Sequence, residues 1–223
     1  MKKLALALVA SSFAVVGTAS ADINTGFYLG AGIGANHTQV KPTIGTAFNF
    51  AGVATRYAAS SDLGRTNVEG TVYGGYGFVT GCTYLGAELG YTFVNNKVST
   101  DASLTIPVLN ASRTASLTFE RRNVINAALL VGQKFTPSTM GYIRLGLNSA
   151  QYKVSATYPN AAGVATATNE SKRKFSFAPG VGLETAVHKN VRVRLQYVYD
   201  LGAKIVDQKV KSQSVTLGVA YKF

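Results

Sequence analysis

Apolar residues recur at every second position along most of this chain. The pattern is cleanest at its end, where Val215, Leu217, Val219, Tyr221 and Phe223 alternate with Thr216, Gly218, Ala220 and Lys222. Successive side chains of a strand point to opposite faces, so such a segment is a strand with one oily face and one polar face. Seven earlier segments repeat it. Phe27, Leu29, Ala31, Ile33 and Ala35 share a face opposite Tyr28, Gly30, Gly32, Gly34 and Asn36. Val68, Val72, Tyr76 and Phe78 oppose Glu69, Thr71, Tyr73, Gly75 and Gly77. Leu85, Ala87, Leu89, Tyr91 and Phe93 oppose Tyr84, Gly86, Glu88, Gly90 and Thr92. The fourth is less regular: Phe119, Ile125, Ala127, Leu129 and Val131 oppose Glu120, Arg122, Asn126, Ala128, Gly132 and Lys134. Ile143, Leu145 and Leu147 oppose Arg144, Gly146 and Asn148. Phe175, Phe177, Pro179, Val181, Leu183 and Val187 oppose Ser176, Ala178, Gly180, Gly182 and Glu184. Val191, Val193, Leu195, Tyr197 and Tyr199 oppose Arg192, Arg194, Gln196 and Asp200.

The connections alternate in length. Short turns follow the second, fourth and sixth strands, at 80–83, 136–140 and 188–190. Long polar stretches, near 37–66, 95–117, 153–173 and 201–212, follow the others. This is the layout of an all-β, eight-stranded antiparallel up-and-down transmembrane β-barrel, with the long loops outside the cell and both termini on the periplasmic side. A soluble sandwich or lipocalin-like barrel also alternates, but turns its apolar face to a core. Here the opposite face is Gly, Thr, Ser, Glu and Arg, a poor coat for a soluble exterior and a good filling for a narrow closed barrel. Closure also satisfies every backbone polar group in hydrocarbon, where an open sheet cannot.

The first 21 residues read as a signal peptide: Lys2 and Lys3, an apolar run from Leu4 to Val16, and Ala19-Ser20-Ala21 before a mature start at Asp22. Residues 22–223 then form one barrel domain. The mean hydropathy is only +0.13, and no later segment is apolar over the ~18 residues that a spanning helix needs. The single cysteine, Cys82, excludes an internal disulfide framework and a CxxC metal site. Net charge is +12, or +10 without Lys2 and Lys3. For an exported chain that balance points to anionic lipid or polysaccharide, not to nucleic acid.

Tyr73-Gly74-Gly75-Tyr76-Gly77, Tyr84-Leu85-Gly86-Ala87-Glu88-Leu89-Gly90-Tyr91 and Ala178-Pro179-Gly180-Val181-Gly182-Leu183-Glu184 resemble small bacterial outer-membrane barrels. The group includes the OmpA transmembrane domain, OmpX and the Opa-like surface antigens. The resemblance runs over the whole mature chain. It implies an outer-membrane location and a monomer, and it makes Val215, Leu217, Val219, Tyr221 and Phe223 a signal read by the outer-membrane insertion machinery.

Several constellations could carry function. Glu69, Glu88, Arg122, Lys134, Arg144, Glu184, Arg192, Arg194 and Lys222 fall on the inward face, and a hairpin centred on Lys189 makes Glu184 and Arg194 direct neighbours. In a side-chain-filled interior such charges must pair. They form either a structural plug or, as the OmpA resemblance implies, a gate whose partners exchange. The long loops are basic: Lys172, Arg173 and Lys174 sit together where the sixth strand begins, and Lys204, Lys209 and Lys211 cluster in the last loop. They suit lipopolysaccharide phosphates or host anionic glycans such as heparan sulfate. An outer-leaflet lipid enzyme would need a nucleophile and base. His37 near Ser60, Ser61 and Asp62 is the one candidate, since His188 falls in a short turn on the far side. No compact motif supports it. The expectation is therefore a surface antigen or adhesin with no cofactor, no metal and no catalysis, with a small gated channel as the alternative.

Overall fold

The computed structural model describes residues 22–41, 44–50, 53–59, 63–106, 111–159, 165–205 and 208–223. The segment read as a signal peptide lies outside the described residues. Among the described residues there are ten strands: β1 (Gly26–Lys41), β2 (Ile44–Phe50), β3 (Val53–Ala59), β4 (Leu63–Thr80), β5 (Thr83–Ile106), β6 (Ala111–Lys134), β7 (Thr139–Pro159), β8 (Ala165–His188), β9 (Val191–Ile205) and β10 (Gln208–Lys222). Eight of them, β1 and β4 to β10, form a closed antiparallel barrel in chain order. β1 seals it against β10, and β2 and β3 make a separate hairpin.

The barrel is inside out relative to a soluble one. Leu85 is 46% exposed, Leu89 68% and Leu217 54%, whereas Glu88 is 5% and Arg194 3% exposed. A surface band that also carries Ile33, Phe93, Leu129, Ile143, Phe177 and Val219 has no stable place in water, so it must meet lipid.

Space inside is made by glycine opposite tyrosine. Tyr73 faces Gly30 across the β1–β4 ladder, and a Cβ at Gly30 would lie 2.5 Å from the Tyr73 ring. Tyr142 covers Gly182 of β8 so closely that any side chain there would overlap the ring. The turns at one end are tight. Gly81, at φ +57°, supplies the left-handed residue of the two-residue β4–β5 turn. Ile23 and the C-terminal Phe223 reach the same rim: Ile23 N–H donates to Pro137 O (2.9 Å) and Phe223 N–H to Phe27 O (3.0 Å).

The other end differs from the expected layout of long loops. The stretches near 95–117 and 153–173 are mostly strand. β5 and β6 pair continuously from Asn95–Arg122 to Ile106–Ala111, and β7 and β8 pair as far as Pro159–Ala165. A strand of 24 residues such as β5, rising ~2.3 Å per residue when tilted, reaches ~55 Å, about twice the hydrocarbon thickness. These hairpins therefore stand well clear of the bilayer.

Candidate functional site

Inward side chains from strands far apart in sequence meet in the lumen. Glu184 of β8 is 1% exposed. Its Oε1 accepts from Arg192 Nη1 (3.0 Å) and its Oε2 from Arg194 Nε (2.9 Å), both on β9. Arg194 also bridges to Glu88 on β5, the opposite side of the barrel. Its guanidinium carbon lies 4.5 Å from the ring centre of Tyr73, 5.4 Å from Tyr142 and 5.5 Å from Tyr28. The Tyr28 hydroxyl donates in turn to Glu88 (3.1 Å). Arg194 thus sits between two carboxylates and three aromatic faces, a site that strongly favours a planar, permanent cation. Arg192 completes its bonding on the Asn24 carbonyl (2.9 Å).

Nearer the hairpin end lies a second ion pair. Arg121 Nη2 meets Asp200 Oδ2 at 2.8 Å and its Nη1 donates to Ser212 (2.8 Å), while Asn148 also donates to Asp200 (3.0 Å). Here the structure corrects the expected site. Arg122 was expected in the lumen, but it is exposed on the outer face, bonded to Glu120 at 2.5 Å. The cause is a bulge: the register slips between Arg122 and Val124, and Asn123 adopts φ +47°. One extra residue reverses facing beyond it. Arg121 takes the inward position, and Asp200 is its partner. The break in the fourth segment's alternation, with Asn tolerated in the left-handed region, was the available signal.

Between the two ion clusters is a polar cavity of about 60 Å³ that Glu69, Arg121, Arg144 and Arg194 help to line. Arg144 donates to Ala178 O (3.2 Å) and Asn126 Oδ1 (3.1 Å), and Glu69 accepts from Thr216 (3.3 Å). Nε of Arg121 and of Arg144 has no partner among the described residues; the cavity has room for the few waters that would satisfy them. Apolar layers lie to either side. Tyr84, Leu130, Met140 and Ala186 pack around Ile23 at the short-turn end, and Val94, Val124, Ala150, Tyr152 and Val210 form a second cluster. Lys134 and Lys222 are half-buried near the short-turn end.

A family model described as the OmpA-like transmembrane domain matches residues 22–223. The chain belongs to that family. Among solved structures it is similar to Neisserial surface protein A (16% identity, 88% of this chain and 97% of that one, TM-score 0.48). It is also similar to Ail, the attachment invasion locus protein of Yersinia pestis, in complex with the heparin analogue sucrose octasulfate (16% identity, 90% and 100%, TM-score 0.42). No curated protein sequence matches it. The protein is an integral β-barrel of the bacterial outer membrane, of the OmpA-like type.

On this OmpA-like barrel, Lys172, Arg173 and Lys174 are exposed in β8, and Lys211 is half-buried in β10. Lys204 and Lys209 are cross-strand partners in β9 and β10; their side chains lie outside the described residues. His37 Nδ1 bonds Thr66 Oγ1 (2.9 Å), and its Nε2 lies 3.4 Å from Gln39 Nε2. Ser60, Ser61 and Asp62 lie outside the described residues. Val215, Leu217, Val219, Tyr221 and Phe223 line the lipid-facing side of β10, the last two in edge-to-face contact at 5.2 Å.

Proposed function

We propose that this protein is a surface-exposed antigen or adhesin whose basic hairpins engage anionic glycans, and whose lumen is a structural plug. The observation that carries the second half is the interior itself. Glu69, Glu88, Glu184 and Asp200 balance Arg121, Arg144, Arg192 and Arg194, all less than 10% exposed. A few waters fit among them, but no open aqueous path is needed to accommodate them. Planar-bilayer recording of the refolded protein tests this reading: no conductance above the lipid baseline is expected. Stable, voltage-dependent openings lost on Glu184→Gln would establish the gated channel instead.

The hairpin end carries the adhesin reading through Lys172, Arg173 and Lys174, exposed on one strand. Retention on heparin at low ionic strength, abolished by salt as charge contacts are screened, is the expected result. Failure to bind even at low salt would remove it. Orientation follows from the short turns lying in the periplasm and the hairpins outside. Cys82 is exposed in the β4–β5 turn. A membrane-impermeant maleimide should leave it unlabelled in intact cells and label it once the outer membrane is opened. Lipopolysaccharide, the insertion machinery, which would read the Phe223 end, and a monomeric state complete the proposed partners. Catalysis has no part in this reading.

A further inference from the structure

The bulge that turns Arg122 outward builds something on the outer face. Arg122 stands opposite Gln151 of β7, and Gln151 opposite Arg173 of β8. One step further up, Lys97 of β5 pairs with Glu120, and Glu120 with Lys153 of β7. Four exposed cations and one acid thus occupy two adjoining rows across four strands, about 15 Å wide at the usual strand spacing. Immediately below, on the same face, the lipid-facing band begins with Tyr91, Phe93, Ile125 and Phe175.

Within that band the surface is not a uniform wall. Tyr76, Leu89, Leu129 and Leu147 stand around a floor that includes Ala87 and Ala127, leaving a groove of about 600 Å³. Ala127 follows Arg122 by five positions, ~16 Å along the tilted β6 and ~11 Å in depth. That depth lies within one leaflet's acyl layer, about half of the ~30 Å hydrocarbon thickness. The cation patch belongs neither to the lumen nor, Arg173 apart, to the basic residues expected from sequence; the groove's lining also takes in Tyr28 and Glu88 from the barrel interior.

We propose that β5 to β8 form a docking site for a phosphorylated, multiply acylated glycolipid of the lipid A type. Its phosphates sit on Lys97, Arg122, Lys153 and Arg173, and an acyl chain lies in the Ala87–Ala127 groove. A single-phosphate phospholipid meets too few of four cations spread over four strands, whereas a headgroup with several phosphates spans them. Glu120 holds Arg122 at 2.5 Å and spaces the cations without neutralising the patch. The inference rests on the proposed orientation, which puts this face in the outer leaflet.

The test uses the mature barrel in phosphatidylcholine nanodiscs, with bound lipid read by native mass spectrometry. Four additives are compared: none, phosphatidylglycerol at matched charge, bisphosphorylated lipid A, and lipid A stripped of phosphate. The wild type is expected to retain bisphosphorylated lipid A selectively. The variant with Lys97→Gln, Arg122→Gln, Lys153→Gln and Arg173→Gln should bind it on the order of several hundredfold more weakly, each of the four cations near an anionic surface contributing roughly fivefold. Ala127→Trp, which fills the groove and leaves the charge alone, should weaken it also. Equal retention by the four-Gln variant overturns the proposal. So does equal retention of phosphatidylglycerol or of phosphate-free lipid A, or a lipid-free dimer seated on this face. Nanodisc binding does not depend on cellular orientation, so a failure of the Cys82 labelling result is told apart from a failure here.

Discussion

Removing Glu184 is the sharpest perturbation of the interior. Its carboxylate, 1% exposed, accepts from both Arg192 and Arg194. The two guanidiniums fare differently without it. Arg194 keeps Glu88 and its three tyrosine rings. Arg192 keeps the Asn24 carbonyl but loses Glu184, its carboxylate partner among the described residues. Glu184→Ala therefore strands one buried cation almost completely, and the loss should be about 3–5 kcal/mol. Glu184→Gln retains an acceptor and should lose less, about 1–3 kcal/mol. Removing both partners in Glu184→Leu/Arg192→Leu leaves no stranded charge, since Arg194 keeps Glu88, so most of the stability should return. The chain has no Trp; the assay is urea unfolding in detergent micelles followed by far-UV circular dichroism. The Glu184→Ala midpoint should fall by about 1–3 M. An unchanged midpoint, or a double variant as unstable as the sum of its singles, would refute the claim that the cluster is held by mutual charge.

The bulge makes neighbouring arginines unequal. In lipid A-free micelles Arg121→Gln should cost about 3 kcal/mol by stranding Asp200, whereas Arg122→Gln should lie within about 0.5 kcal/mol of wild type; equal effects in the same unfolding assay would contradict the assigned facing. Gly30→Leu forces a side chain into the Tyr73 ring, and the heat-modifiable folded band on a cold gel should be lost. Gly30→Leu/Tyr73→Ala should recover it. Deleting Phe223 should lower the amount of barrel assembled in cells while leaving the micelle-refolded protein's urea midpoint nearly unchanged. A similar fall in both would make the residue a stability element and not a recognition signal.

The extended hairpins show where alternation stops being informative. Past Phe93 on β5 and Leu147 on β7 the outward face turns polar, with Asn95 and Lys97 or Ser149 and Gln151, while the inward face mixes Asn96 and Asn148 with Val94, Ala150 and Tyr152. No lipid lies on one side there, so nothing selects a two-residue period, and the stretch reads as loop. The backbone ladder nevertheless continues, because neighbouring strands already in register keep satisfying each other's N–H and C=O groups.

What the sequence alone determined is local and periodic. The oily positions name the lipid-facing side, the Gly- and charge-bearing positions name the inside, and short against long connections order the strands, because facing depends only on a residue's parity within its own strand. Even the Glu184–Arg194 pairing belongs here, since a tight hairpin sets its register across a few residues. The tertiary structure decided the rest. Glu88 meets Arg194 across 106 positions and Arg121 meets Asp200 across 79. Such contacts depend on the stagger of eight strands around a closed ring and on where Asn123 adds a residue to one of them. Parity says that a charge points inward; only closure says which opposite charge it finds there.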